Sequence, residues 1–160
     1  MIKKIICSLF AFLSLLSLSS CSDEHTYAEL TLTAPDKYFE YETDSYDLAF
    51  TDERATVGLK RISLKSASIS GLDITYTPAD FAEFYMNYAG IKSEVQLSGD
   101  VPYYTYVETV RTTRYYCLVA FYRTEGAYFT VACMVDENRK DSYHSEFIEI
   151  VTSAKMQKGD

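Results

Sequence analysis

Apolar and polar residues alternate with a period of two over several short stretches of the chain. In residues 28–33, Leu30 and Leu32 alternate with Glu29, Thr31 and Thr33, until Ala34-Pro35-Asp36 stops the pattern. Residues 38–41 form a brief apolar-rich run, and Tyr46, Leu48 and Phe50 then alternate with Asp47, Ala49 and Thr51. Asp52-Glu53 reads as a turn and residues 55–64 as a further strand. Short alternating segments at this spacing predict a mostly antiparallel sheet.

The period changes after a serine-rich connection at 66–70. Thr77 supplies a hydroxyl N-cap, Pro78 a first helical residue with no amide to satisfy, and Asp80 an acid in the first turn. Gly90 closes this helix as a left-handed cap. Phe81, Phe84, Tyr85 and Tyr88 fall at i, i+3, i+4 and i+7, an aromatic stripe expected to pack into the core. A second helix is expected over 142–155, with Asp141 as its N-cap and Lys155 complementing its C-terminal dipole. Its apolar positions Tyr143, Phe147, Ile150, Val151 and Ala154 would face the sheet.

Strands are also expected at 95–97 and 101–110, separated by Ser98-Gly99-Asp100. The strongest β signal is the hairpin 115–123 and 127–135, linked by Thr124-Glu125-Gly126. A three-residue loop with Gly126 left-handed would put Arg123 opposite Ala127 and Cys117 opposite Cys133. Both faces of this hairpin carry apolar residues, which places it near the centre of a sheet covered on each side. Cys117 and Cys133 would then be either a cross-strand disulfide or two small buried hydrophobes.

Upstream of the sheet the pattern is of another kind. Lys3 and Lys4 precede an uncharged, largely apolar run over 5–18, the layout of a secretory signal peptide and too short for a comfortable membrane span. Leu18-Ser19-Ser20-Cys21 resembles the lipobox of bacterial lipoproteins. That resemblance implies diacylglyceryl attachment to Cys21, cleavage after Ser20 and acylation of the new amino group, with several acyl chains giving stable anchorage. Ser22 is not the aspartate of an inner-membrane retention signal, so outer-membrane delivery is expected, and Asp23-Glu24 resembles the acidic signals of surface-exposed Bacteroidetes lipoproteins. The resulting organisation is a signal peptide at 1–20, a lipidated cysteine and short tether at 21–28, one α+β domain at 29–156 and a frayed tail at 157–160.

Strands, a capped helix, a meander ending in an aromatic hairpin and a final helix bearing Phe147-Ile148 and Thr152-Ser153-Ala154-Lys155 together resemble the PsbP-like α/β/α sandwich, found also in DcrB-type envelope lipoproteins. The resemblance implies a mostly antiparallel sheet with two main helices packed on it and an accessory role, and it transfers no functional residue. A plain β-rich sandwich with two helices is the alternative.

Charge narrows the partners. Residues 1–20 hold two of the 15 basic residues and none of the 23 acidic ones, so the mature chain carries 13 against 23, a formal charge of −10. That balance argues against nucleic acid and against electrostatic adhesion to anionic lipid, leaving the acyl chains on Cys21 to hold the membrane. His25 and His144 lie far apart in sequence, no cysteine-histidine spacing supplies a metal site, and no nucleophile elbow, phosphate loop or HExxH pattern occurs. No cofactor, metal or catalytic residue is assigned. Tyr103, Tyr104, Tyr106, Tyr115 and Tyr116 could present a glycan- or peptide-binding surface on the sheet, or simply pack across strands. The sequence therefore points to a non-enzymatic outer-membrane lipoprotein that binds or supports another envelope component, protein or glycan.

Overall fold

A computed structural model describes residues 22–157. Residues 1–21, with the expected signal peptide and the lipobox-like Leu18-Ser19-Ser20-Cys21, lie outside the described residues. Among the described residues ten strands and three helices follow in order: β1 (Ser22–Tyr27), β2 (Leu30–Pro35), β3 (Phe39–Glu40), β4 (Leu48–Thr51), β5 (Ala55–Ser63), α1 (Leu64–Ile69), α2 (Pro78–Tyr88), β6 (Gln96–Ser98), β7 (Val101–Val110), β8 (Thr113–Arg123), β9 (Ala127–Asp136), α3 (Lys140–Thr152) and β10 (Lys155–Met156). A 3-10 turn, Glu137–Arg139, leads into α3. Among the described residues no helix is long and apolar enough to cross a membrane.

The main sheet has seven strands in the order β3-β4-β5-β9-β8-β7-β6, every neighbouring pair antiparallel. A second sheet, β1-β2-β10, packs with α3 on one face of it, where Leu30, Leu32, Phe50, Leu118, Phe129, Phe147 and Val151 form the larger core. Helices α1 and α2 cover the other face around Phe81, Tyr104, Phe121 and Tyr128. The fold is thus the α+β arrangement that the residue pattern predicts, with helices on both sides of an antiparallel sheet.

Three expectations are corrected. Ser22–Tyr27, read as a tether, is strand β1, paired with β2 from Ser22↔Pro35 to Tyr27↔Leu30. Its composition is polar because it is an edge strand with a single buried side chain, His25, whose ring stacks on Phe50 at 4.1 Å. The serine-rich connection is in part a helix, α1, capped by Ser63 Oγ, which accepts from the Ser66 amide. Asp141 lies inside the first turn of α3 and does not cap it; Asp136 instead accepts from the Asn138 amide one turn earlier.

The hairpin register is also one residue from expectation. Arg123 pairs with Tyr128, so Cys117 faces Met134 and Leu118 faces Cys133. Thr124 and Ala127 close a two-residue loop: the Thr124 amide donates to the Ala127 carbonyl, and the Ala127 amide donates to Thr124 Oγ1. Gly126 does not adopt a left-handed conformation, and its carbonyl accepts from the first amide of α1, Leu64. A one-residue slip exchanges the two faces of a strand. Cys117 and Cys133 therefore project from opposite faces of the sheet as free, buried thiols, and the disulfide expectation fails.

Candidate functional site: an aromatic groove between the first two helices

Helix α2 begins where its sequence dictates. Thr77 Oγ1 accepts from the Asp80 amide while Asp80 Oδ2 accepts from the Thr77 amide, a reciprocal capping box ahead of Pro78. These bonds, the Thr77 hydroxyl contributing most, hold the Asp80 carboxyl below the ordinary aspartate range. Gly90 follows the helix with φ +67°, as expected.

The face that α2 buries differs from the aromatic stripe. Phe81, Ala82 and Met86 enter the core. At 3.6 residues per turn their centre lies about a quarter turn from that of Phe81, Phe84, Tyr85 and Tyr88. Phe81 alone of the stripe is buried, whereas Tyr85 is 39% and Tyr88 84% exposed. The stripe expectation thus holds in full for Phe81 and in part for Phe84, which is half-buried against the same core, and not for Tyr88. Ala82 is small and Met86 slender and adaptable, and both enter the core that holds Tyr104 and Phe121, while the rings of Tyr85 and Tyr88 are left on the shoulder of α2.

Those rings make an organised surface. Phe84 and Tyr88 lie nearly parallel, 10° apart with centroids at 6.4 Å, and Tyr76 approaches Phe84 at 6.3 Å. Tyr85 packs edge-on against Phe81 at 6.1 Å. Two adjoining hollows share Phe84 and Tyr88. One, of about 330 Å³, runs between α1 and α2 and is floored by Ile62, Leu72 and Phe81. The other, of about 520 Å³, is bounded by Tyr76, Asp80, Glu83 and Asn87.

The loop that carries Tyr76 is fixed from below. Tyr128 Oη donates to the carbonyls of Tyr76, at 2.8 Å, and Asp73, at 3.2 Å, and Arg123 Nη2 donates to the Ile74 carbonyl at 2.8 Å. The Tyr76 side of the groove is therefore held by hydrogen bonds from the sheet to backbone carbonyls, two of them part-buried.

The tyrosines singled out on the sheet behave otherwise. Tyr103, Tyr104 and Tyr116 are buried, and Tyr106 and Tyr115 are half-buried. They also divide between faces: Tyr103 and Tyr116 belong to the core under α3, Tyr104 and Tyr106 to the one under α2. Tyr116 Oη lies 2.7 Å from His144 Nδ1, and Tyr103 Oη donates to Gln96. Burial raises the phenol of Tyr116 to about 12, and those of Tyr104 and Tyr106 further. Four of these five rings pack into the two cores, and the five do not form a shared exposed surface.

A second polar constellation joins α3 to the β4–β5 turn. Lys37 Nζ lies 3.1 Å from Asp52 Oδ2 and 2.9 Å from Glu146 Oε2. Tyr143 Oη donates to Asp52 at 2.6 Å, and Tyr38 Oη donates to Glu146 at 2.7 Å. Every member has its partners, so the cluster pins elements together. Among the described residues no group of three His, Cys, Asp or Glu side chains is placed to hold a metal ion.

The architecture defines a class of fold, the α+β sandwich shared by PsbP-like proteins. No protein-family model and no curated protein matches the chain. Among solved structures it is similar to the cyanobacterial PsbP protein of Synechocystis, with TM-score 0.57, 14% identity, and 86% of this chain and 93% of that one covered. It is also similar to LpqN of Mycobacterium tuberculosis, a protein described as involved in cell envelope biogenesis, with TM-score 0.51, 10% identity, and 86% and 91% covered. A Bacteroides thetaiotaomicron structure matches with TM-score 0.56 and 12% identity over 81% of this chain, which spans only 46% of that protein. At such identities the likeness establishes the fold alone.

Proposed function

We propose that this protein is a non-enzymatic lipoprotein of the bacterial outer membrane, anchored through acyl chains on Cys21, whose α1–α2 groove holds another cell-envelope protein. The observation that carries the reading is the pair of exposed rings Tyr85 and Tyr88, which line the apolar hollow at Phe84. Aromatic rings around an apolar depression are the composition of protein-interface centres. The envelope role described for LpqN is consistent with it. Because β1 begins at Ser22, immediately after the lipobox cysteine, and lies in the layer opposite α1 and α2, anchorage would leave the groove on the far side of the main sheet from the attached layer.

The test is chemical crosslinking in intact cells followed by affinity capture of the lipidated protein. A partner recovered in near-equal amount with the native protein and lost with Tyr88→Ala supports the reading. Capture unaffected by Tyr88→Ala, or no partner at all, removes it and moves the weight to glycan capture by Tyr85 and Tyr88. Cys21→Ala should leave the domain folded and release it from membranes.

A further inference from the structure

We infer that the partner segment seated in the α1–α2 groove is basic as well as apolar: an arginine- or lysine-bearing stretch that places a cation over the Phe84–Tyr88 rings and against Glu83. This rests on the groove being a protein-docking site, and it specifies the chemistry of what docks there.

Charge complementarity carries the inference. The residues that bound the two hollows include two carboxylates, Asp80 and Glu83, and no lysine, arginine or histidine. Helix α2 has no basic residue in its last turn, and its sequence, PADFAEFYMNY, has none anywhere. The capping box binds Asp80 to Thr77 through Oδ2, so its charge is fixed at the helix start, one turn from Glu83. The Thr77 contacts also favour its ionised form.

The rings add to this in the same sense. A cation over the face of a tyrosine or phenylalanine is attracted by the ring quadrupole, and more so where the site is partly dry. Among the described residues that contact already occurs three times: Lys37 lies 4.7 Å from the centre of the Tyr143 ring and 5.3 Å from that of Tyr38, and Arg123 5.5 Å from that of Tyr128. The groove offers the same rings with carboxylates beside them, but no cation of its own among its bounding residues. An apolar neighbour of that cation fits the hollow floored by Ile62, Leu72 and Phe81. An acidic segment would meet like charge at Asp80 and Glu83, and a wholly apolar one would desolvate the Glu83 carboxylate without compensation.

The experiment titrates the full-length lipoprotein in detergent micelles into fluorescent seven-residue peptides and reads anisotropy. The probes are acetyl-Leu-Arg-Ala-Leu-Arg-Ala-Leu-amide and its variants with glutamine or glutamate in place of arginine. The arginine peptide is expected to bind saturably and the glutamine form about tenfold more weakly, with the glutamate form silent, in keeping with the several kcal/mol that like-charge juxtaposition costs. Glu83→Lys should abolish the preference for arginine. Asp44→Lys, a change of equal charge in the exposed loop before β4, should leave it intact and so remove net charge as the cause.

Equal binding of the arginine and glutamine peptides, or an arginine preference that survives Glu83→Lys or disappears with Asp44→Lys, overturns the inference. In either case the docking function stands or falls separately, on whether capture in cells is lost with Tyr88→Ala.

Discussion

Cys117 and Cys133, sixteen residues apart on adjacent strands, point to opposite faces of one sheet: Cys117 pairs with Met134 and Cys133 with Leu118. The sheet itself separates the two sulfurs. Burial raises the Cys117 thiol to about 11 and the fully enclosed Cys133 thiol further. Both cysteines should therefore titrate as thiols after denaturation in oxidised preparations, and unfolding should be indifferent to reductant. An unfolded cysteine ionises near 9, so above that pH the unfolded state has fewer protons bound than the native one. Stability should accordingly be complete below about pH 9 and fall as pH rises towards 11, a slope that Cys117→Ala would reduce.

Asp52 responds to acid. Burial opposes its ionisation, but donation from Tyr143, the Ala55 amide, Lys37 and the Arg54 amide together hold its carboxyl below the ordinary aspartate range. That contribution is present above the unfolded aspartate pKa and disappears as pH falls through the native one. Asp52→Ala should cost about 3 kcal/mol, because it orphans Tyr143 Oη and two turn amides and leaves Lys37 with Glu146 as its one carboxylate partner. Chemical denaturation at neutral and acid pH checks both the size and its loss in acid.

Two buried tyrosines should part company when their hydroxyls are removed. Tyr104 is fully buried and its hydroxyl has no partner among the described residues. Tyr122 Oη donates to the Val151 carbonyl at 2.7 Å. Tyr104→Phe is expected to be neutral or to stabilise by about 1 kcal/mol, and Tyr122→Phe to destabilise by about as much, since only the second leaves a buried group unpaired. Urea midpoints of the two variants, measured together, decide it.

Within α2 the same chemical change should have opposite consequences at Phe81 and Tyr88. Phe81→Ala opens a cavity among Phe121, Tyr128 and Tyr85 and should cost about 3–5 kcal/mol. Tyr88→Ala removes an 84% exposed ring and should stay within about 0.5 kcal/mol of the native protein. Comparable losses at both positions would mean that the shoulder of α2 is part of the core.

Gly58 shows how closely the sheet is covered away from the helices. The Tyr46 ring lies directly over it, so a Cβ at this position would collide with the ring. Gly58→Ala must displace Tyr46 and should cost about 1–3 kcal/mol, whereas Tyr46→Ala together with Gly58→Ala should recover part of that loss, a coupling that a double-mutant cycle measures.

The sequence alone determined whatever depends on neighbours in the chain. Thr77, Pro78 and Asp80 specify a helix start because the capping groups are three residues apart; alternation in β2 and β4 specifies strands because pleating is local, and the apolar runs of β8 and β9 specify strands covered on both faces. Together these were enough for an antiparallel sheet with helices on both sides. Tertiary structure decided the rest. Strand β1 carries no alternation to read, because only His25 among its six residues is buried, and it is held by pairing with β2. Two loop residues or three between β8 and β9 were equally compatible with Thr124-Glu125-Gly126; the docking of the Gly126 carbonyl on the Leu64 amide accompanies the shorter loop, and with it both cysteines change faces. The side of α2 that enters the core was settled by the burial of Ala82 and Met86 with Phe81 in the cluster that holds Tyr104 and Phe121, a packing contest that the spacing of its aromatic residues could not foretell. The candidate groove is what that contest left outside.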